Sequence, residues 1–210
     1  MMARLNVRLN ALLFSILAMG FTHSAFAGSA FAGSAFADCD LPWVFLDLGA
    51  NTVIDTSDDT FDKVRYMPGA HEYLQDLRNK GYHVGLLVNI PETWGKTQEE
   101  KFETTKKFIA AQWDDTTPLD WDQFDLGVAF PPTDAERKPA PYLFDQAFKR
   151  AQEAGCEAVY QTALPDEVPA ANKAGLVGIR VGDGTYDGSF YYPEARLRTR
   201  DFSIVHWSQD

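Results

Sequence analysis

Two charged side chains in this sequence stand where chain geometry favours chemistry. Asp47 lies near the end of the apolar stretch Trp43–Leu48 and is followed by the small-residue turn Gly49–Ala50–Asn51–Thr52. Open α/β sheets bind ligands in the crevice beyond the C-terminal ends of their strands. A carboxylate at such a tip is available as a covalent nucleophile or as one half of an ion pair. Lys138 heads Lys138–Pro139–Ala140–Pro141, with Tyr142–Leu143–Phe144 behind it. Proline suits the first turn of a helix, because the N–H it lacks would have no partner there, so this lysine is expected at a rigid helix start. A further pair of acids, Asp166 and Glu167, precedes Val168–Pro169–Ala170–Ala171–Asn172–Lys173–Ala174–Gly175.

The elements that must position these residues alternate along the chain. After the strand Trp43–Leu48, Pro68–Gly69 opens a helix that runs to Asn79, with Tyr73, Leu74 and Leu77 on one face and Lys80–Gly81 as its stop. His83–Val88 is a nearly all-apolar strand, the pattern of a strand covered on both faces. Thr97 and Glu100 have capping-box spacing for a helix reaching Trp113. Phe124–Ala129 reads as a third strand, Pro139–Ala154 as a helix closed by Gly155, and Glu157–Thr162 as a fourth strand. A short helix, Glu167–Ala174, stopped by Gly175, and a fifth strand, Val177–Val181, come next, with Phe202–Trp207 as a possible edge strand. Strands and helices of this length in alternation predict an α/β fold, a three-layer α/β/α sandwich on a parallel sheet.

Composition narrows the setting. Residues 1–37 carry Arg4 and Arg8, the apolar run Ala11–Phe21, and three copies of Ala-Phe-Ala within tandem GSAFA units. A charged start, a short apolar core and an A-x-A site form the pattern of a secretory signal peptide, with cleavage expected after Ala27, Ala32 or Ala37. The apolar run is shorter than the ~20 residues of a membrane span, so no stable membrane insertion is expected after its removal. Residues 38–210, about 173 in number, suffice for a single domain with its own core. Losing Arg4 and Arg8 and no acid moves the formal charge from −11 to −13, which opposes nucleic acid as a partner. The reading is a periplasmic or secreted protein.

The residues around Asp47, Lys138 and Ala163 carry a resemblance. WVFLDLGANTVID resembles the first signature of the haloacid dehalogenase-like (HAD) phosphohydrolases, Asp-x-Asp-Gly-Thr after a strand, with Asp47 in place of the nucleophile and Gly49 in place of the general acid. Val88, before Asn89, stands where the family has a phosphate-binding Ser or Thr. Lys138–Phe144 looks very like the family's lysine signature, and Val168–Gly175 like the tail of the fourth, whose metal-binding Asp is replaced by Ala163. The resemblance covers essentially residues 38–210. It implies a Rossmann-like sheet with strand order 5-4-1-2-3 and, from the short segments 53–68 and 90–123, a capless or minimally capped member. It also makes the strands of Asp47 and Ala163 neighbours. Cys39 lies eight residues before Asp47 and Cys156 seven before Ala163, so both would fall at one edge of the sheet, and a disulfide is expected over two free thiols.

For function, the altered signatures set inherited chemistry against its loss. Losing general acid catalysis alone costs about 10²–10⁴ in rate, and Gly49, Val88 and Ala163 each remove a chemical group. The leading expectation is therefore a catalytically impaired, exported pseudo-phosphatase that binds an unknown protein partner or a small anionic ligand, with Asp47 and Lys138 retained as an ion pair and Gly49 and Asn89 lining the binding site. Its cofactor would be none or weakly held Mg²⁺, since near-octahedral oxygen ligation would fall to Asp47, Asp166 and Glu167. The alternative is an active HAD-type phosphohydrolase using Asp47 as nucleophile, or, with less to support it, a metal-free dehalogenase-type hydrolase. His71 and His83 read as surface or packing residues, and the acidic turn Asp183–Asp187 and Arg196, Arg198 and Arg200 as solvated surface; Trp94 could line the cleft mouth.

Overall fold

The computed structural model describes residues 39–56, 63–182 and 190, all within the unit Ser34–Asp210. The elements in chain order are β1 (Trp43–Leu46), β2 (Ile54–Asp55), β3 (Arg65–Tyr66), α1 (Ala70–Asn79), β4 (Val84–Leu87), α2 (Gln98–Gln112), β5 (Gly127–Ala129), α3 (Tyr142–Glu153), β6 (Ala158–Thr162), α4 (Glu167–Ala174) and β7 (Val177–Arg180). Five strands form one parallel sheet in the order β5-β4-β1-β6-β7, and β2 pairs with β3 in a separate antiparallel hairpin. Counted from the Asp47 strand, this is the expected order 5-4-1-2-3. The possible edge strand Phe202–Trp207, the turn Asp183–Asp187 and Arg196, Arg198 and Arg200 lie outside the described residues.

Side-chain alternation along β1 divides the core into two. Val44 and Leu46 pack with Tyr73, Leu74 and Leu77 of α1 and Ile109 of α2, whereas Phe45 packs with Leu143, Phe144, Ala147 and Ala151 of α3 and Ala171 of α4. Successive strand residues point to opposite faces, so a helical layer on each side buries every position of the central strands. All four residues of β4 and all five of β6 are buried. Burying a Leu or Phe side chain contributes about 1.5–3 kcal/mol, which makes these two clusters the main stabilising term of the domain.

The starts of α3 and β5 and the cap of α2 depart from expectation. α3 begins at Tyr142 with Pro141 as its N-cap, so Lys138–Ala140 is a turn outside the helix; Ala140 N–H donates to the Arg137 carbonyl at 2.9 Å, and the Lys138–Pro139 peptide is cis. β5 starts at Gly127 rather than Phe124, because Trp121–Gln123 coils into a 3₁₀ turn and Gly127, at φ 80°, returns its N–H to the Phe124 carbonyl. At α2, Thr97 Oγ1 accepts from Glu100 N–H as expected, but Glu100 Oε2 accepts from Lys96 N–H, one residue earlier than a reciprocal capping box requires.

The expected disulfide is present. Cys39 and Cys156 are bonded, with Cα atoms 4.9 Å apart, ahead of β1 and β6 respectively. It closes a loop of sequence separation 117, which contributes about 4–5 kcal/mol on the chain-entropy view. Among the described residues, no helix is long and apolar enough to cross a membrane.

Candidate functional site

β1 and β6 lie side by side with Leu46 opposite Gln161, and Asp47 N–H donates to the Gln161 carbonyl at 3.0 Å. This register brings the tip of β1 level with Thr162 and Ala163. The following turn crosses to β6 through Thr52, whose Oγ1 accepts from Ala163 N–H at 3.0 Å while its own N–H donates to the Gly49 carbonyl at 2.9 Å. Ala50 and Asn51 in this turn have φ of 49° and 63°. Positive φ is uncommon for residues other than glycine, and Thr56 holds the pair in place: its Oγ1 accepts from Ala50 N–H and its N–H donates to Asn51 Oδ1.

Lys138 reaches the same point from the turn before α3. Asn89, beyond the end of β4, grips its backbone with both ends of the amide: Nδ2 donates to the Lys138 carbonyl at 2.9 Å, and Oδ1 accepts from Lys138 N–H at 2.8 Å. Arg137 Nε donates to the Ile90 carbonyl beside it. With the main chain fixed, the side chain extends inward and its ammonium is wholly buried. Nζ lies 2.8 Å from Asp47 Oδ1, 2.6 Å from the Tyr160 hydroxyl and 3.2 Å from Glu167 Oε2. An ammonium has three donors, and here each has an acceptor.

Glu167 completes the cluster. It is 1% exposed, and its Oε2 also accepts from the Tyr160 hydroxyl at 2.5 Å and from Thr162 Oγ1 at 2.9 Å. The Tyr160 ring packs edge-on against Phe144, so that the hydroxyl relays between cation and carboxylate. Burial pushes the Tyr160 phenol well above its usual range, and the charges of Asp47 and Glu167 push it further in the same direction, which keeps it a donor. Asp47 is raised from 3.8 to about 6: desolvation outweighs the attraction of Lys138, and Glu167 adds repulsion. Two carboxyl groups share one ammonium, so the cluster is neutral when one of them carries a proton.

The structure thus brings Asp47, Lys138 and Glu167 together and leaves others aside. Asp166 is exposed at the N-cap of α4. Asn89, expected to line the binding site, gives both ends of its amide to the Lys138 backbone. Gly49 gives its carbonyl to Thr52 N–H, and Val88 is buried in the core beside α1 and α2. Tyr160, Thr162 and Thr52 are site residues that sequence reasoning misses. The signal that could find the first two is three polar residues, Tyr160–Gln161–Thr162, inside a strand otherwise apolar enough to be buried on both faces. His83 pairs with Asp125 at 2.6 Å and His71 with Gln75 at 3.2 Å, away from the site, and Trp94 packs against Phe108.

The family that the sequence resembles implies Mg²⁺, and the donors here do not fit it. Mg²⁺ requires about six oxygens at about 2.0–2.1 Å. Asp47 is the only carboxylate at the turn, one of its oxygens faces an ammonium, and Ala163 offers no side-chain oxygen. Oε2 of Glu167 already serves three donors. Among the described residues, no group of three or more His, Cys, Asp or Glu side chains is arranged to hold a metal ion. A groove lined by Phe102, Trp121, Phe124 and Val128 together with Glu99, Asp120 and Asp122 shares none of the cluster's residues.

Comparison with known proteins gives structural likenesses. The chain matches no family model, and no curated protein sequence matches it. Among solved structures it is similar to a D,D-heptose 1,7-bisphosphate phosphatase from B. bronchiseptica in complex with magnesium and phosphate, at 17% identity over 69% of this chain and 83% of that one, TM-score 0.47. It is similar too to a HAD-family enzyme from Bacteroides thetaiotaomicron, an Asp-to-Ala mutant with magnesium and inorganic phosphate, at 12% identity over 69% and 95%, TM-score 0.44. A third likeness is an uncharacterized protein from Listeria monocytogenes, at 20% identity over 67% and 78%, TM-score 0.47. None of these likenesses bears on what the Asp47 cluster does.

Proposed function

We propose that this chain is an exported, HAD-like domain that does not turn over phosphate esters and acts by binding a partner protein. The observation that carries this reading is the state of Lys138: its ammonium is fully buried, and its donors go to Asp47, Tyr160 and Glu167. A lysine that neutralises a transferring phosphoryl group needs a donor for that group, and here none is left over. The same saturation disfavours a small anion at Lys138 and leaves a protein partner as the better reading. Export is supported by the residue pattern of 1–37 and by the disulfide, which belongs to oxidising compartments.

The test is hydrolysis of an aryl phosphate with Mg²⁺ supplied, expected at background across roughly pH 5–8. Gly49→Asp fits the turn, since a Cβ there meets nothing closer than Thr56 Oγ1 at 3.6 Å. Combining it with Val88→Thr and Ala163→Asp should raise the rate only when all three are present, as groups that act as a unit are not additive. Turnover by the unmodified protein near ~1 s⁻¹, abolished by Asp47→Ala, would overturn the proposal in favour of an Asp47 nucleophile.

A further inference from the structure

The mismatch with Mg²⁺ has a positive counterpart in the same geometry. The oxygens around Lys138 Nζ come from three separate places: Asp47 from the tip of β1, Tyr160 from within β6, and Glu167 from the first turn of α4. Their distances of 2.6–3.2 Å suit an N⁺–H donor, near the usual range of about 2.7–2.9 Å, and three oxygens match the three donors of a primary ammonium, against the about six that Mg²⁺ requires. The cage consists of two carboxylates and a hydroxyl, and Thr162 Oγ1 donates to Glu167 Oε2 at 2.9 Å.

We infer that Lys138 is the resident cation of this site: its ammonium fills, as part of the chain, a cage specific for a primary ammonium group, and the cage keeps that specificity when the lysine side chain is removed. The inference rests on reading Lys138 as a structural rather than a catalytic charge. Removing the partner of buried carboxylates leaves them uncompensated and is strongly destabilising. Lys138→Ala is therefore expected to lower the midpoint by roughly 6–20 °C. The atoms it removes beyond Cβ are three methylenes and an ammonium, the composition of n-propylammonium.

The experiment measures thermal midpoints of the wild-type protein and of Lys138→Ala in sodium chloride, propylammonium chloride and magnesium chloride at matched ionic strength of about 0.1 M. Propylammonium is expected to restore at least about half of the lost midpoint in Lys138→Ala and to leave the wild type unmoved, because a ligand stabilises only the state that binds it. Should the variant fail to fold in sodium chloride, refolding yield with and without propylammonium is the readout, and no recovery counts against the inference. Restoration by Mg²⁺ but not by propylammonium would overturn it. So would a wild-type midpoint that rises with Mg²⁺ or falls with EDTA and ceases to do so in Asp47→Asn. Stability, not turnover, is measured throughout, so an active enzyme with a Mg²⁺-independent midpoint would sink the proposed function and leave this inference standing.

Discussion

Replacing Tyr160 by Phe removes one oxygen from the centre of the cluster and changes little else, since the ring and its edge-on contact with Phe144 are kept. The lost hydroxyl accepts from Lys138 at 2.6 Å and donates to Glu167 at 2.5 Å, in surroundings where Tyr160 itself is 0% exposed. Hydrogen bonds to charged groups contribute about 1.5–3 kcal/mol each, and an unmet buried donor adds a cost of its own. The two bonds belong to one network and are not additive. Glu167 retains Lys138 and Thr162 as donors. The expected loss is therefore about 2–4 kcal/mol, or roughly 5–15 °C in midpoint for a domain of this length. Urea unfolding tracked by tryptophan fluorescence measures it, with Tyr142→Phe as a partly exposed control expected to change stability by less than about 0.5 kcal/mol. A Tyr160→Phe variant as stable as that control would refute the reasoning, because it would mean that the hydroxyl does not bridge the ammonium and the carboxylate.

Other expected outcomes concern charge, clamp and cross-link. Asp47 has its folded pKa raised from 3.8 to about 6, so its contribution is fully present below about pH 4 and is lost as pH rises through 6. Relative to Asp47→Asn, the wild type should lose stability of order ~3 kcal/mol between those limits; denaturation curves at each pH that show it gaining instead would reverse the sign of the argument. Asn89→Ala removes both hydrogen bonds to the Lys138 backbone and should cost about 1–2 kcal/mol, read as a shift of the urea midpoint. Thiol titration under denaturing, non-reducing conditions should find no free thiol from Cys39 and Cys156, and Cys39→Ser with Cys156→Ser should lower stability by about 4–5 kcal/mol. Two titratable thiols in the untreated protein would contradict the bridge.

How much of the site is legible in the residues alone depends on how local the signals are. Asp47 at a strand tip, Lys138 beside two prolines and Glu167 opening a helix are each marked by neighbours in sequence, and all three meet at the C-terminal edge of the sheet. The strand order comes through the resemblance, and the disulfide depends on that order. Tyr160 is not legible, because its role rests on the β1–β6 register, which sets its hydroxyl between Lys138 and Glu167. Nor is the division of labour between Asp166 and Glu167. Adjacent acids look alike in sequence, and only the angle at which α4 leaves β6 turns one toward Lys138 and the other to solvent. Asn89 enters the expected site through the resemblance, and its two bonds to the Lys138 backbone depend on how closely the turn at Arg137–Lys138 approaches it, which no local pattern shows. The start of α3 reads too early for a related reason: two prolines suit a helical first turn, and they equally suit the irregular turn that Lys138 needs.

The disulfide also decides how the domain meets a pull. Tension entering the chain from the N-terminal side reaches Cys39 and passes through the sulfur bridge to Cys156, at the foot of β6. Residues 40–155, which include β1, β4, β5 and the whole of α1, α2 and α3, lie off that load path. Their contour stays locked until the bridge is reduced, so stretching the oxidised protein by its ends can lengthen only the segments outside the loop. Reduction would release the remainder as a second, much longer extension, and single-molecule traces with and without reductant would read the two lengths directly.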